Sequence, residues 1–149
     1  MEQHLTKLSP FLAVCHNVRG FGRNENGEKI VKIVHIDASI AAKDETAGPW
    51  GLIRWMANES LSSSSVAVAR LIIRKGHSGE PHVHSNADEV IYLIRGKIRV
   101  DAEGEEATLQ QGDALTIPAG LVHRIENIGN EDSEMTLSYS SGRREYEAK

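Results

Sequence analysis

The chain alternates short apolar runs with polar, glycine-rich breaks. The runs are rich in Val and Ile, and Gly, Asn, Asp and Ser cut them at intervals of roughly 8–12 residues, the spacing of a β-sandwich or barrel. From Val66 the pattern is regular and predicts eight strands: Val66–Arg74, Pro81–His84, Glu89–Arg95, Lys97–Asp101, Glu106–Leu109, Ala114–Ile117, His123–Asn127 and Met135–Ser140. Short strands joined by glycine turns point to a closed or nearly closed antiparallel barrel. Upstream, Lys29–Asp37 and Trp50–Asn58 read as further strands, with Asn26-Gly27 as a hairpin turn before the first. Ser39–Gly48 reads as a loop or a single helical turn, and Glu59–Ser65 as a flexible loop. No amphipathic helix is visible, and the charged tail Gly142–Lys149 is expected to fray.

Composition narrows the class. At 149 residues, 40% hydrophobic and 26% charged, the chain is sized for one globular domain, which excludes a disordered, collagen-like or coiled-coil protein. No linker divides it, so residues 1–149 are expected to form a single domain, with 1–60 as an N-terminal extension and 66–140 as the barrel. A net charge of −4 supplies no electrostatic footprint for nucleic acid. No apolar run reaches the roughly 18 residues of a membrane helix, and the N-terminus lacks a signal-peptide pattern, which makes the cytoplasm the default compartment. Cys15 is the single cysteine and cannot form an internal disulfide. Seven histidines against two phenylalanines call for a reason.

That reason lies between Gly76 and Gly96, in GHSGEPHVHSNADEVIYLIRG. His82 and His84 are two apart on a predicted strand and project from one face. Glu89 opens the next strand, and His123 follows the Pro118–Gly120 turn. Three imidazoles and a carboxylate suit Zn, Mn, Fe, Co or Ni, and would leave two positions open on an octahedral ion. A His-x-His pair alone more often marks half-exposed strand residues, so the wider spacing has to decide.

In that spacing the chain resembles the cupin superfamily. The first motif reads Gly76, five residues, His82-Val83-His84, four residues, Glu89, six residues, Gly96. The second reads Gly112, five residues, Pro118-Ala119-Gly120, two residues, His123, three residues, Asn127. Ten fixed positions, each met by chance about one time in twenty, coincide on the order of 10⁻¹³ per starting position. The resemblance covers about Val66–Ser140 and implies an all-β double-stranded β-helix, a jelly-roll-like barrel. It implies His82, His84, Glu89 and His123 as ligands of one divalent transition metal per chain (Mn, Fe, Ni, Co or Zn). It further implies an enzyme acting on a small polar metabolite bearing a carbonyl or carboxylate, either a dioxygenase or a non-redox isomerase, lyase or decarboxylase. The alternative is a non-catalytic module binding a metal or small molecule. Small cupins pair as homodimers, with Lys29–Asp37 and Trp50–Asn58 the expected contributors here.

Other residues carry open readings. The second ring nitrogen of each histidine ligand needs an acceptor, for which Glu80, Asp88 or a backbone carbonyl would serve. Asn127 is expected to bond backbone near a strand end. Ile91 shares Glu89's face while Tyr92 points away. Several cupin lyases carry a tyrosine at the position of Ile91, which argues against that mechanism. Tyr139 either lines the pocket or packs. Trp50 and Trp55 either cap the barrel mouth and stack on substrate, or close the core or a subunit contact. Arg70 and Arg74 either clamp a substrate carboxylate or face outward. His77 reads as an exposed loop residue, with a pocket-mouth role as the alternative, and His4, His16 and His35 read as non-catalytic.

Overall fold

A computed structural model describes residues 21–23, 25–27, 29–31, 33–62 and 65–149. His4, Cys15 and His16 lie outside the described residues. The hairpin β1 (Phe21–Arg23) and β2 (Lys29–Val31) comes first, followed by the short helix α1 (Ala38–Ala41) and the hairpin β3 (Glu45–Gly48) and β4 (Gly51–Ala57). Eight strands follow: β5 (Ala67–Ile73), β6 (His82–Val83), β7 (Glu89–Arg95), β8 (Lys97–Ala102), β9 (Glu105–Gln110), β10 (Ala114–Ile117), β11 (His123–Asn127) and β12 (Ser133–Tyr139). The last element is β13 (Glu147–Ala148).

Two antiparallel sheets result, in strand orders β10-β7-β12-β5-β4-β3 and β13-β6-β11-β8-β9, while β1 and β2 pair separately. This is the double-stranded β-helix expected from the motifs. Alternation of period two sorts side chains to the two faces of each sheet. Along β5, Ala67, Ala69, Leu71 and Ile73 are buried, and along β12 so are Ser133, Met135, Leu137 and Tyr139. They pack against Ile98, Val100, Leu109 and Ile125 of the opposite sheet in one core cluster. Each large aliphatic side chain withdrawn from water there contributes about 1.5–3 kcal/mol.

Two tight places require glycine. Gly96, between β7 and β8, has φ +92°, and a Cβ there would sit 2.8 Å from Ser133 Oγ and 2.9 Å from Ser133 Cα. Gly51 opens β4 at φ +143°, and its Cβ would fall 1.9 Å from the Ile72 carbonyl oxygen. The second of these lies outside both motifs.

Two expectations need correction. The run Lys29–Asp37 is a strand only over Lys29–Val31. Residues 33–37 have no regular structure, and Asp37 Oδ1 accepts from the backbone N–H of Ser39 and Ile40, which starts α1. The tail is not frayed: β13 pairs with β6, joining Glu147 to Val83 and Ala148 to His82. Its anchors are Asn86 Oδ1, which accepts from the Glu145 N–H, and the Pro81 carbonyl, which accepts from the Lys149 N–H. Among the described residues, no helix is long and apolar enough to cross a membrane.

Candidate metal centre

His82 lies on β6 and His84 just after it in one sheet, and Glu89 starts β7 in the other, while His123 on β11 pairs directly with His82. One ligand-type atom from each of the four lies within 4.8 Å of all the others. His84, Glu89 and His123 are buried to 2% exposure or less, and His82 is half-buried. The side nearest His82 is therefore the open one.

Each ring is turned by a backbone carbonyl, which resolves the choice left open by the sequence. His82 Nδ1 donates to Glu80 O at 2.8 Å, His84 Nδ1 to Glu145 O at 2.7 Å and His123 Nδ1 to Leu121 O at 2.9 Å. A neutral imidazole that donates from Nδ1 keeps its lone pair on Nε2. His84 Nε2 is buried 3.1 Å from Glu89 Oε2 and has no hydrogen-bond donor. His123 Nε2 lies 3.0 Å from the same oxygen. With Nδ1 donating, the three Nε2 atoms and the Glu89 carboxylate face one point, and His84 Nε2 finds no hydrogen-bond partner there. The donor set therefore fits a divalent metal, whose binding would displace the proton shared by His123 Nε2 and Glu89 Oε2. Asp88 is occupied elsewhere, accepting from the Ala119 N–H.

Charge follows the same geometry. Burial pushes the Glu89 carboxyl up, yet the hydrogen bond from His123 and the closeness of the His123 and His84 rings outweigh it and hold it at about 2. Burial, with the neighbouring His123 and His84 charges, lowers His82 to about 4 despite the Glu80 carbonyl. Burial also works to lower His123, but Glu89 and the Leu121 carbonyl raise it above its ordinary value. Tyr139 donates its hydroxyl to Glu89 Oε1 at 3.2 Å. Burial and then the Glu89 charge push its phenol well above 10, so it stays protonated and remains a donor.

A cavity of about 480 Å³ opens onto His82 and Glu89. Trp50, Ile53, Trp55, Ile125 and Leu137 give it an apolar wall. Both tryptophans and Tyr139 thus line the pocket. Ile91 is fully buried and Tyr92 half exposed, as the alternation requires. The arginine clamp is not built from β5: Arg70 points outward and donates to Glu134 Oε1 at 2.7 Å, and Arg74 is exposed. His77 and His35 are exposed. Asn127 Nδ2 donates to the carbonyls of Ile73 and Glu131.

The sequence reading missed Arg144 and Tyr146. Tyr146 stacks on His82 with ring centroids 4.8 Å apart, and both residues line the cavity. An Arg and a Tyr two apart in a charged tail carry no local signal of this. The tail reaches the site only because β13 docks beside β6.

The comparisons agree with this architecture. The family model for the cupin domain matches residues 69–139. Tetracenomycin polyketide synthase protein TcmJ of Streptomyces glaucescens is 33% identical over 81 residues, covering 54% of this chain and 54% of the relative. The chain spans about half the length of the first curated relatives it matches. Oxalate decarboxylase of Lactobacillus farciminis, in a formate complex, superposes with TM-score 0.66 at 20% identity, covering 70% of this chain and 32% of that one. A Klebsiella pneumoniae protein with a double-stranded β-helix domain superposes with TM-score 0.62 at 17% identity, covering 69% and 87%. With both motifs intact and their four histidine and glutamate side chains converging at one point, the chain belongs to the cupin superfamily, its cupin domain spanning residues 69–139.

Proposed function

We propose that this cupin is a metal-dependent enzyme whose substrate offers a carbonyl or carboxylate to a metal held by His82, His84, Glu89 and His123. The observation that carries this reading is the apolar cavity opening directly on the ligand cluster. When bound, the metal supplies Lewis-acid polarisation of a substrate oxygen, or a site for redox chemistry if it is redox-active. The chain's own residues do the rest. Carbonyls of Glu80, Leu121 and Glu145 fix the ring orientations, and the Tyr139 hydroxyl fixes Glu89. Trp50, Trp55 and Ile53 exclude water from the reacting end and take up the substrate's body. The resemblance suggested a small polar metabolite; walls of this kind favour a larger one with an apolar body and polar groups at the end nearest the metal and Arg144. The polyketide synthase name of one relative agrees with such a body.

The test pairs metal content with turnover. His82→Ala/His84→Ala should lose bound metal, measured by elemental mass spectrometry, while its circular dichroism stays that of a folded β-protein. The metal-loaded parent should convert members of a panel of aromatic and polyketide-like carbonyl compounds, followed by mass spectrometry and oxygen uptake. Tight binding without turnover across the panel would favour the non-catalytic module. We also propose a homodimer, supported by Val90, Tyr92 and Ile94, which stand 39%, 48% and 37% exposed on one face of β7. A monomer mass in light scattering would exclude it.

A further inference from the structure

We propose that Arg144, carried by the C-terminal strap, is the receptor for a carboxylate on the ligand of this cavity, so that the ligand is an anion with an apolar body. This deepens the proposed function and rests on its reading of the cavity as a ligand site. Three aromatic rings hold the guanidinium, with its Cζ 5.0 Å from the Trp55 centroid, 5.1 Å from Tyr146 and 5.3 Å from Tyr139. Contacts to ring faces fix the position of a guanidinium but consume none of its five N–H donors. Arg144 Nε is buried and has no hydrogen-bond partner. Nη1 passes 3.4 Å from His84 Nδ1, whose proton is already given to Glu145 O, so that nitrogen accepts nothing.

Among the described residues no carboxylate forms an ion pair with Arg144; Arg74, Arg124 and Arg143 also lack one, but of the described arginines only Arg144 has a buried side-chain nitrogen without a hydrogen-bond partner. A half-buried cation with free donors and no counter-ion is costly unless something supplies the negative charge. The planar fork suits a carboxylate in bidentate fashion. The receptor is also built in advance. Asn86 Oδ1 holds the Glu145 N–H, Ser85 donates to the Glu145 carboxylate, and β13 pairs with β6 beyond it. Little ordering is then left to be done when the anion arrives.

The experiment uses cyclohexanecarboxylate and its neutral isostere cyclohexanecarboxamide, titrated calorimetrically into the full chain freed of metal with phenanthroline. Without metal, a preference for the anion reports on Arg144 and not on coordination. The parent is expected to bind the carboxylate at least about tenfold tighter than the amide, since one charge-assisted pair is worth a decade of affinity or more. Arg144→Gln should bind both alike, with amide affinity unchanged, and Arg144→Lys should keep part of the preference. Three results would overturn the proposal: a parent without preference, an Arg144→Gln that keeps it, or equal loss for both probes, which would make Arg144 a strut for the strap. If Arg144→Gln does not fold, Arg144→Lys decides alone, and a preference equal to the parent's would then reject the fork. Metal content after reloading is measured separately. A parent that takes up no metal would sink the proposed enzyme while leaving the Arg144 result standing.

Discussion

Tyr139→Phe removes one hydroxyl and leaves the ring, which makes it a clean probe of how the ligand cluster is supported. The ring's contacts with His84, 5.2 Å between centroids, and Trp55, 5.9 Å, persist in the variant. What disappears is the hydroxyl that donates to Glu89 Oε1, an oxygen in a side chain 1% exposed. A hydrogen bond to a charged acceptor is worth about 1.5–3 kcal/mol. At 3.2 Å this one is longer than the usual O–H···O contact, which places it near about 1.5 kcal/mol. If that energy holds Glu89 in its ligand position, its loss should weaken metal binding about tenfold. Competition against a fluorescent chelator at pH 7 measures the dissociation constant, and Glu89→Ala supplies the reference. In the Glu89→Ala background the Tyr139 change should cost nothing further, because the two act through one contact. An affinity within twofold of the parent, or the same loss in both backgrounds, would refute a supporting role for Tyr139.

Further outcomes follow from other parts of the molecule. Metal binding should release protons at pH 7, because Glu89 raises His123 above its ordinary value and the metal requires that ring neutral. Apparent affinity should then fall as pH drops through the His123 transition, with His82 adding its effect only near its lowered value of about 4. Calorimetry in buffers of different ionisation enthalpy counts the protons, and a count of zero at pH 7 would contradict the assignment. Gly51→Ala should cost at least about 3 kcal/mol in urea unfolding, since its Cβ would overlap the Ile72 carbonyl and its φ is positive; an unchanged midpoint would show that the β3–β4 hairpin can shift freely. Arg70→Ala should change stability by less than about 1 kcal/mol and leave metal affinity unaltered, because its pair with Glu134 is on the outer face with Arg70 36% exposed. A loss of metal in that variant would mean that β5 is turned the other way.

The barrel and its four converging side chains were legible because both depend on short-range pattern. Strand alternation puts His82 and His84 on one face, and glycine turns return Glu89 and His123 to the same end. Packing decided what pattern left open. Arg70 is a plausible clamp by spacing until Ala67, Ala69 and Leu71 are seen to fill the inner face and leave it outside. The strand read over Lys29–Asp37 rested on its Val and Ile content, but only Lys29–Val31 finds a pairing partner, in β1, and the Asp37 carboxylate then starts a helical turn in the backbone that follows. Arg144 and Tyr146 were invisible for a different reason. In sequence they belong to a solvated charged tail, and only their contacts with Trp55 and His82 give them a place in the site.

The carbonyl that orients His84 belongs to Glu145, 61 positions later in the chain. During synthesis β5 to β12 emerge from the ribosome before it and can pair while that imidazole is still free to turn. Ring orientation is therefore completed by a segment that arrives after the barrel strands. Metal loading should accordingly be a late event that follows barrel closure, which spares the nascent chain from gathering ions on half-made histidine pairs.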